Sequence, residues 1–261
     1  MPEMESSVEV VVLGSGASPG IPMIGCDCQV CTSSDPHDRR YRPSILVRMD
    51  GLTILVDTAP ELRLQCVANG IDRVDAVLFT HHHADHVVGL DDLRRFNFLM
   101  RGPVPLFATE KTVRSVEQMF VYAFDTDIHY PSNKPQLEWR LIDSEPFDIA
   151  GRKIIPIPMM HGPLPVLGFR FGDFAYCTDC SHIPEESLAK LTGLDVLILD
   201  ALRLKPHTTH FNLEQAIEMA HVIGAKRTLL THLTHEIMHE KVSANLPAGI
   251  ELAYDGLRIR V

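Results

Sequence analysis

The chain has 261 residues, of which 45% are hydrophobic and 22% are charged, and its formal net charge is −10. This composition is ordinary for one globular domain and argues against a disordered or fibrous protein, so we expect a single domain over residues 1–261. The acidic balance argues against non-specific nucleic-acid binding, which needs clustered lysine and arginine, although bound metal cations would reverse the sign of the charge locally.

The N-terminal residues 1–7 are polar and acidic, without the basic and apolar regions of a secretory signal. No apolar run approaches the ~20 residues that a membrane-spanning helix needs. We therefore predict a cytoplasmic protein with no membrane partner. In that compartment, the three cysteines that fall within six residues indicate metal binding rather than disulfide bonds.

Short apolar runs rich in β-branched residues alternate with turn signals along most of the chain. They predict strands at residues 8–13, 44–49, 53–56, 76–80, 153–157, 166–171, 174–178, 196–199 and 227–230. Asp50-Gly51 is a strong hairpin signal between two of these strands, and Gly172-Asp173 is a second one.

Apolar residues at helical spacing predict helices at residues 60–68, 90–96, 111–124, 184–190 and 212–223. Asn212 is the expected N-cap of the last helix, and Gly224 is its expected C-cap. Residues 125–136 are polar, contain two prolines and predict a surface loop. The order of elements lacks a strict βαβ rhythm, which favours an α/β (α+β) fold of two packed sheets with helices outside, a four-layer αββα sandwich.

Four candidate metal ligands follow the predicted strand that ends at Thr80, namely His81, His83, Asp85 and His86. Alternate residues of an extended segment share one face, so His81 and His83 can reach one metal. Asp85 and His86 lie beyond them and can reach another metal. A solvated polar loop is the alternative reading of any one of these histidines, but it does not account for the whole cluster.

Three further candidate ligands, His161, Asp179 and His232, also follow predicted strands. Loops at one edge of a layered α/β fold converge on a common crevice, so these side chains can join the first four. Neutral imidazoles and carboxylates suit zinc or manganese, and two such cations close together activate water for hydrolysis. The sequence therefore predicts a hydrolytic centre with two divalent metals.

The order His-x-His-x-Asp-His, followed by a later His, Asp and His, resembles the metallo-β-lactamase superfamily over nearly the whole chain. The resemblance implies two metal sites that share one bridging residue. The first metal would be bound by His81, His83 and His161. The second would be bound by Asp85, His86 and His232, with Asp179 as the bridge and Asp85 within the catalytic machinery. Asp57 matches an earlier family aspartate that orients a ligand rather than binding metal.

A second constellation consists of Cys26, Cys28 and Cys31, whose thiolates would make a tetrahedral zinc site that lacks one ligand. His235, three residues after His232, is the candidate for the fourth position. This pattern is similar to the PhnP-like phosphodiesterase branch of the superfamily, which also has a glycine-rich opening, here residues 14–20, and a closing Thr-His-x-x-His, here residues 231–235. The resemblance implies one structural zinc that His235 completes.

The same branch has a histidine at the place of His210, just before a predicted helix, and the resemblance implies that His210 is the general acid that protonates the leaving alkoxide. His207 on the same loop is the competing candidate, and His182 could also face the pocket. Cys180, beside Asp179, could line the same pocket, whereas Cys66 and Cys177 are expected in the core.

The resemblance implies a phosphodiesterase that cleaves a small or cyclic phosphate ester, and it is compatible with a homodimer. Three alternatives share the fold: an oxidative enzyme similar to pyrroloquinoline quinone biosynthesis protein B, a thioesterase, and a nuclease that processes the 3′ end of transfer RNA. The nuclease is disfavoured because the chain is acidic and shows no candidate for the added arm that clamps tRNA. A non-enzymatic metal-binding module is disfavoured because no catalytic ligand is missing.

Overall fold

The computed structural model describes residues 8–125 and 134–261. Its strands are β1 (Val8–Gly14), β2 (Ser44–Met49), β3 (Leu52–Val56), β4 (Ala76–Leu78), β5 (Val104–Ala108), β6 (Leu137–Leu141), β7 (Phe147–Ile149), β8 (Arg152–His161), β9 (Leu164–Phe171), β10 (Phe174–Cys177), β11 (Val196–Asp200), β12 (Arg227–Thr231), β13 (Ile250–Leu252) and β14 (Arg258–Arg260).

The α-helices of the described residues are α1 (Leu62–Asn69), α2 (Ala84–Val87), α3 (Arg94–Met100), α4 (Glu110–Met119), α5 (Val121–Phe124), α6 (Glu185–Ala189), α7 (Leu213–Ile223) and α8 (His239–Ser243). Two 3-10 helices span Pro36–Asp38 and Val88–Leu93. None of the helices formed by these residues is both long and apolar enough to cross a membrane.

The described strands form two sheets of seven strands each. The first sheet has the order β14-β1-β2-β3-β4-β5-β6, and it changes from antiparallel to parallel pairing at β3. The second has the order β13-β12-β11-β10-β9-β8-β7, and it is parallel from β13 to β10 and antiparallel beyond. Each sheet therefore has a group of parallel strands whose carboxyl ends lie at one edge.

Three apolar clusters show how these sheets are layered. The central cluster joins side chains of both sheets, including Ile54 of β3 and Ile198 of β11. On the outer faces, Leu55 packs with Leu62 of α1, and Leu197 packs with Ala216 of α7. Because neighbouring strand residues point to opposite faces, Ile54 and Leu55 enter different layers. The predicted four-layer αββα architecture is therefore confirmed.

All nine predicted strands are present, with ends that differ by at most a few residues. The helix predicted at 111–124 is interrupted at Phe120, and the one predicted at 90–96 begins as a 3-10 turn. Asn212 and Gln215 form a capping box at the start of α7, and Gly224 ends that helix in the left-handed conformation, as predicted. The loop predicted at 125–136 falls mostly outside the described residues.

Several elements were not predicted, among them β5, β6, β13 and β14. Pro105 interrupts the apolar run of β5, and β6 alternates apolar and charged residues over only five positions, none of them buried. The last two strands have three residues each, which is too short for a clear alternation. Tertiary pairing therefore stabilises strands that the local pattern does not predict.

Arg40 fastens the segment after the cysteine loop to the segment that carries His232 and His235. Its side chain is fully buried. The guanidinium donates to Asp38 Oδ1 at 3.0 Å and to the carbonyls of Thr234 and Ile237 at 3.1 and 2.7 Å. These contacts hold together two segments that are about two hundred residues apart in the chain.

We expect Arg40→Met to destabilise the protein by about 3–5 kcal/mol, the cost of breaking a buried ion pair from one side. The substitution keeps apolar bulk, so the loss reflects the stranded Asp38 carboxylate and the two unpaired carbonyls. Urea denaturation of the metal-loaded protein measures it, and Arg39→Met, at an exposed neighbouring position, is the matched control. Equal denaturation midpoints for the two variants would contradict this stabilising role of Arg40.

Candidate metal centres

The candidate ligands, and Asp57 which orients one of them, lie at the carboxyl edge of both sheets. Asp57 and His81 follow β3 and β4 of the first sheet. In the second sheet, His161 ends β8, and Asp179 and His232 follow β10 and β12. The parallel strands of each sheet end on the same side. The shared edge therefore brings together residues that are far apart in the sequence.

The seven predicted ligands form two groups in which the ligand atoms all lie within 4.8 Å of one another. The first group consists of His81, His83, His161 and Asp179, and the second of Asp85, His86, Asp179 and His232. Asp179 is common to both. Its Oδ1 lies 3.2 Å from His86 Nε2 and 3.3 Å from His232 Nε2, and its Oδ2 lies 3.8 Å from His81 Nε2. One carboxylate thus faces both groups.

The outer ring nitrogens of these histidines are held by polar partners. His161 Nδ1 is 2.7 Å from the carbonyl of Thr209, and His86 Nδ1 is 2.7 Å from Asp57 Oδ2. A carbonyl and a carboxylate only accept hydrogen bonds, so each Nδ1 carries the proton. The lone pair of each Nε2 is then directed toward the centre, as a metal-binding histidine requires.

Buried polar atoms around the two groups fit divalent cations. Among the described residues, the Nε2 atoms of His81, His86 and His232 and Asp85 Oδ2 have no hydrogen-bond partner. Buried polar atoms are rarely left unpaired, and these atoms all face one centre. A cation between them would complete their coordination.

The pKa values of the histidines in the second group also indicate a cation site. Burial alone would lower the pKa of His232, but the carboxylates of Asp179, Asp85 and Asp200 raise this pKa to about 9. Burial also works against the charged form of His86, yet Asp179 and Asp57 raise its pKa well above the usual value. The buried carboxylates therefore draw positive charge into this site, which is what a divalent cation supplies.

Three residues of the centre, Asp57, Asp179 and His232, have left-handed backbone conformations with φ values of 63°, 54° and 60°. This region costs energy for residues other than glycine, and it persists where the surrounding structure enforces it. All three residues turn the chain directly after a strand, so the strained turn aims each side chain at the centre.

Asp57 binds three groups of the loop after β4. Its carboxylate accepts from the Thr80 amide at 2.9 Å, from Thr80 Oγ1 at 2.8 Å and from His86 Nδ1 at 2.7 Å. It is fully buried, and it contacts His86 at Nδ1 rather than at the Nε2 atom that faces the second group. This position agrees with the orienting role that the resemblance implies for it.

We expect Asp57→Asn to weaken metal binding at the second group by roughly 10–100-fold. The new amide presents a donor to His86 Nδ1, which favours the tautomer with the proton on Nε2, the atom that faces the centre. Titration with Zn²⁺ against a competing chelator measures the change. Asp72→Asn, at an exposed position, is the control, and equal zinc affinities in the two variants would refute the orienting role.

His210 lies beside both groups of ligands. Its ring centroid is 4.4 Å from that of His161 and 4.8 Å from that of His232. His210 Nδ1 lies 3.1 Å from Asp200 Oδ2, and the same carboxylate accepts from the Phe211 amide. The contact fixes the ring and leaves Nε2 for the cavity. Asp200, at the end of β11, follows a predicted strand as Asp179 does, but the sequence does not predict its role, because only the tertiary structure places it beside His210.

The other candidates divide by burial. His207 is part of the cavity wall, and its ring centroid lies 5.3 Å from that of His210, with the two rings tilted. His182 is exposed, and its backbone pairs with Met160. Cys180 is fully buried in the apolar cluster beneath α7, so the expectation that it lines the pocket is wrong. Burial raises the pKa of the Cys180 thiol, as expected for an unreactive core cysteine.

The cysteine loop and His235 form a separate group, Cys26, Cys28, Cys31 and His235, with ligand atoms within 4.8 Å of one another. His235 Nδ1 lies 3.3 Å from Cys26 Sγ and 3.4 Å from Cys28 Sγ. The Cys31 amide donates to Cys28 Sγ, and this hydrogen bond leads the effects that lower the pKa of Cys28 to about 6. Three sulfurs and one imidazole nitrogen suit a tetrahedral zinc ion.

The glycine-rich opening lies against the backbone that Arg40 belongs to. A Cβ atom at Gly14 would lie 1.9 Å from the Arg42 carbonyl oxygen, and one at Gly16 would lie 2.8 Å from Arg40 Cβ. The end of this loop, Ala17-Ser18-Pro19, forms one wall of a cavity of about 290 Å³ beside His210 and His232. The glycines therefore allow close backbone packing next to the candidate centre.

The chain is similar to known proteins over most of its length. The family model described as "Beta-lactamase superfamily domain" matches residues 53–233. A solved structure described as "a New Diphosphatase from the PhnP Family" superposes with a TM-score of 0.92 and 46% sequence identity, covering 98% of this chain and 97% of that one. The chain therefore belongs to the metallo-β-lactamase superfamily and, within it, to the PhnP family. The predicted family is confirmed, and membership implies that the chain binds divalent metals.

Curated relatives carry different names. An octanoyltransferase of Porphyromonas gingivalis is 38% identical over 95% of this chain, but the chain spans only 50% of its length. A ribonuclease Z of Mycobacterium sp. (strain KMS) is 28% identical and is matched over 96% of its length. A coenzyme PQQ synthesis protein B of Methylorubrum extorquens is 35% identical over 76% of this chain and 74% of that protein. The shared fold thus serves proteins of several activities.

Proposed function

We propose that the protein is a metal-dependent phosphodiesterase that hydrolyses a small or cyclic phosphate ester. The observation that carries this proposal is the position of His210, held by Asp200 and in ring contact with His161 and His232. An alkoxide leaving group needs a proton, and a buried histidine beside the reacting centre can supply it. The 46% identity to a PhnP-family diphosphatase supports phosphoryl chemistry.

Two divalent cations, zinc or manganese, would be held by the two groups that share Asp179. When bound, they lower the pKa of a water molecule and neutralise charge on the attacked phosphoryl group. The imidazoles of His81, His83 and His161 would bind one cation. Asp85, His86 and His232 would bind the other. Asp179, with one oxygen toward each group, would bridge the pair.

The proposed reaction is the hydrolysis of one phosphorus–oxygen bond. Water supplies the oxygen that the phosphoryl product gains, and the bond from phosphorus to the leaving oxygen breaks. His210 Nε2 gives its proton to the leaving oxygen, which departs as an alcohol. Asp85, which lies in the second group of ligand atoms, is the candidate to accept the proton that water loses.

A second candidate reaction is cleavage of a phosphorus–oxygen–phosphorus bond, because the PhnP-family relative is described as a diphosphatase. A departing phosphate is a better leaving group than an alkoxide, so this reaction depends less on a general acid. The two candidates are therefore separable by how strongly hydrolysis depends on His210.

The test is hydrolysis of bis(p-nitrophenyl) phosphate and of ADP-ribose by protein of measured metal content, loaded with Zn²⁺ or Mn²⁺. Turnover of the first substrate supports the phosphodiesterase, and turnover of ADP-ribose alone supports the diphosphatase. If the fully metallated protein cleaves neither substrate, the proposal fails. Thioester hydrolysis and oxidative activity would then be the next reactions to assay. The net charge of −10 disfavours an RNA substrate. We therefore expect that the metal-loaded protein does not cleave precursor tRNA.

We further propose that Cys26, Cys28, Cys31 and His235 bind one structural zinc. Burial raises the pKa of Cys31 to about 11, whereas the thiol of Cys28 is held near 6, so a cation would be needed to keep all three sulfurs as thiolates. The proposed zinc would connect the cysteine loop to the segment of His232, three residues before His235.

Cys28→Ser is expected to release one zinc ion per chain and to lower the thermal midpoint by several degrees, because a structural zinc contributes folding energy. Metal analysis and a thermal scan measure both effects. Cys66→Ser is the control for zinc content, since Cys66 lies in α1, in the apolar cluster around Leu62, and is not a member of the zinc group. An unchanged zinc content in Cys28→Ser would contradict the structural site.

A further inference from the structure

A second cavity lies between α1 and α3, in the outer layer that covers the first sheet. Its volume is about 400 Å³, which falls within the range of small-molecule sites. Leu62, Cys66 and Val67 of α1 and Phe96 and Leu99 of α3 are among its lining residues. None of these residues lines the cavity beside the candidate centre. The α1–α3 cavity is therefore a separate site.

The apolar lining of the α1–α3 cavity is only partly covered by the rest of the described chain. Leu62 and Phe96 are buried, whereas Val67 and Leu99 are 72% and 44% exposed. Phe98, next to Leu99 in α3, is 71% exposed. A single exposed apolar side chain is ordinary, but a group of them around a recess indicates a binding surface. An apolar ligand would remove this surface from water.

Two arginines also line the α1–α3 cavity, Arg63 on α1 and Arg95 on α3. Both side chains are exposed. Arg94 forms an ion pair with Asp91, but neither Arg63 nor Arg95 pairs with a carboxylate in the part of the chain that the structure describes. Two guanidinium groups, which are suited to carboxylate oxygens, therefore remain available beside the apolar recess.

The acidic residues of the cavity lining do not neutralise these two arginines. Asp92 accepts a hydrogen bond from the backbone amide of Arg63, and burial raises the pKa of its carboxyl group. Asp72 is exposed in the loop after α1. Since neither aspartate forms an ion pair with Arg63 or Arg95, an external anion can approach both guanidinium groups.

We propose that the α1–α3 cavity binds a small anionic amphiphile, a medium-chain carboxylate. Its apolar chain would lie against Leu62 and Phe96, and its carboxylate would pair with Arg63 and Arg95 at the solvent-exposed side. The two arginines disfavour a cationic amphiphile. A second copy of this chain is disfavoured because a recess of this volume is filled by an inserted chain rather than by a flat protein surface. The proposal does not depend on the proposed hydrolysis.

Three probes with the same apolar chain and different heads test the proposal: octanoate, 1-octanol and octylamine. Calorimetric titration of the metal-loaded protein measures the affinity of each. We expect one octanoate per chain, bound about fivefold more tightly than octanol, because exposed ion pairs contribute little. Octylamine should bind most weakly. Shorter carboxylates should lose affinity by about fourfold for each methylene group removed.

Two sets of variants locate the bound probe. Arg63→Met combined with Arg95→Met should lower the affinity for octanoate to that for octanol and leave octanol unchanged, because methionine keeps apolar bulk. Arg39→Met, at an exposed position outside the lining, is the control. Leu99→Glu should weaken octanoate by about tenfold through lost apolar contact and added repulsion. Val222→Glu, at an exposed position of α7, should have no effect.

The proposal is overturned if the three octyl probes bind with equal affinity or do not bind. It is also overturned if the double arginine variant binds octanoate as tightly as the wild type, since the carboxylate would then be held by a catalytic metal instead. If no probe binds and Leu99→Glu converts a wild-type dimer into monomers in light scattering, the surface belongs to an interface between copies. Turnover of bis(p-nitrophenyl) phosphate is measured separately, so failure of the proposed function remains distinguishable.

Discussion

Asp179→Ala is expected to abolish hydrolysis and to reduce the content of catalytic metal. This carboxylate is the one side chain common to both groups of ligand atoms, with oxygens 3.2–3.8 Å from the Nε2 atoms of three histidines. Removing it takes a ligand from both proposed metals at once. Removing a residue that only orients a metal ligand costs about 10–100-fold in metal affinity or activity. Removing the shared ligand should cost more, so we expect turnover to fall by roughly 10³-fold or more.

Metal analysis and bis(p-nitrophenyl) phosphate turnover measure the two effects on the same preparation. Asp173→Ala is the matched control, because Asp173 lies in the turn before β10 with an exposed side chain. The control should retain metal and activity. A variant Asp179→Ala that keeps its full metal content and more than about a tenth of wild-type turnover would refute the bridging role.

The parts of the fold that the sequence predicts are those with strong local patterns. The strands β2, β3, β9 and β10 are largely apolar runs that flank an Asp-Gly or a Gly-Asp turn, and α7 has both caps in its sequence. The compact run of residues 81–86 and the cysteine loop are equally local. Such signals depend on neighbours in the chain, so they survive without any knowledge of tertiary contacts.

Features that arise only when distant segments meet are not predictable in this way. Asp200 gains its role because β11 places it beside His210 and His232. Arg40 is polar and reads as a surface residue, yet it is buried between segments separated by about two hundred positions. Asp57, Asp179 and His232 adopt the left-handed conformation although none of them is a glycine, so the sequence does not predict these turns. Their conformations are enforced by packing rather than by propensity.

His210→Ala is expected to act selectively on substrates with poor leaving groups. If His210 Nε2 protonates the leaving oxygen, turnover of adenosine 2′,3′-cyclic phosphate, whose leaving group is an alkoxide, should fall by about 10²–10⁴-fold. p-Nitrophenolate departs without a proton, so bis(p-nitrophenyl) phosphate should lose far less. His207→Ala, on the same loop but on the more exposed side, should affect both substrates similarly and weakly.

The pattern of losses also separates the roles of the surrounding residues. Asp200→Asn should reproduce the selectivity of His210→Ala at about 10–100-fold, because the amide lacks the negative charge that Asp200 places beside His210 Nδ1. An equal loss for both substrates in His210→Ala would mean that His210 positions the substrate and is not the acid. A small loss for both, together with turnover of ADP-ribose, would favour diphosphate cleavage, since a phosphate leaving group needs little protonation.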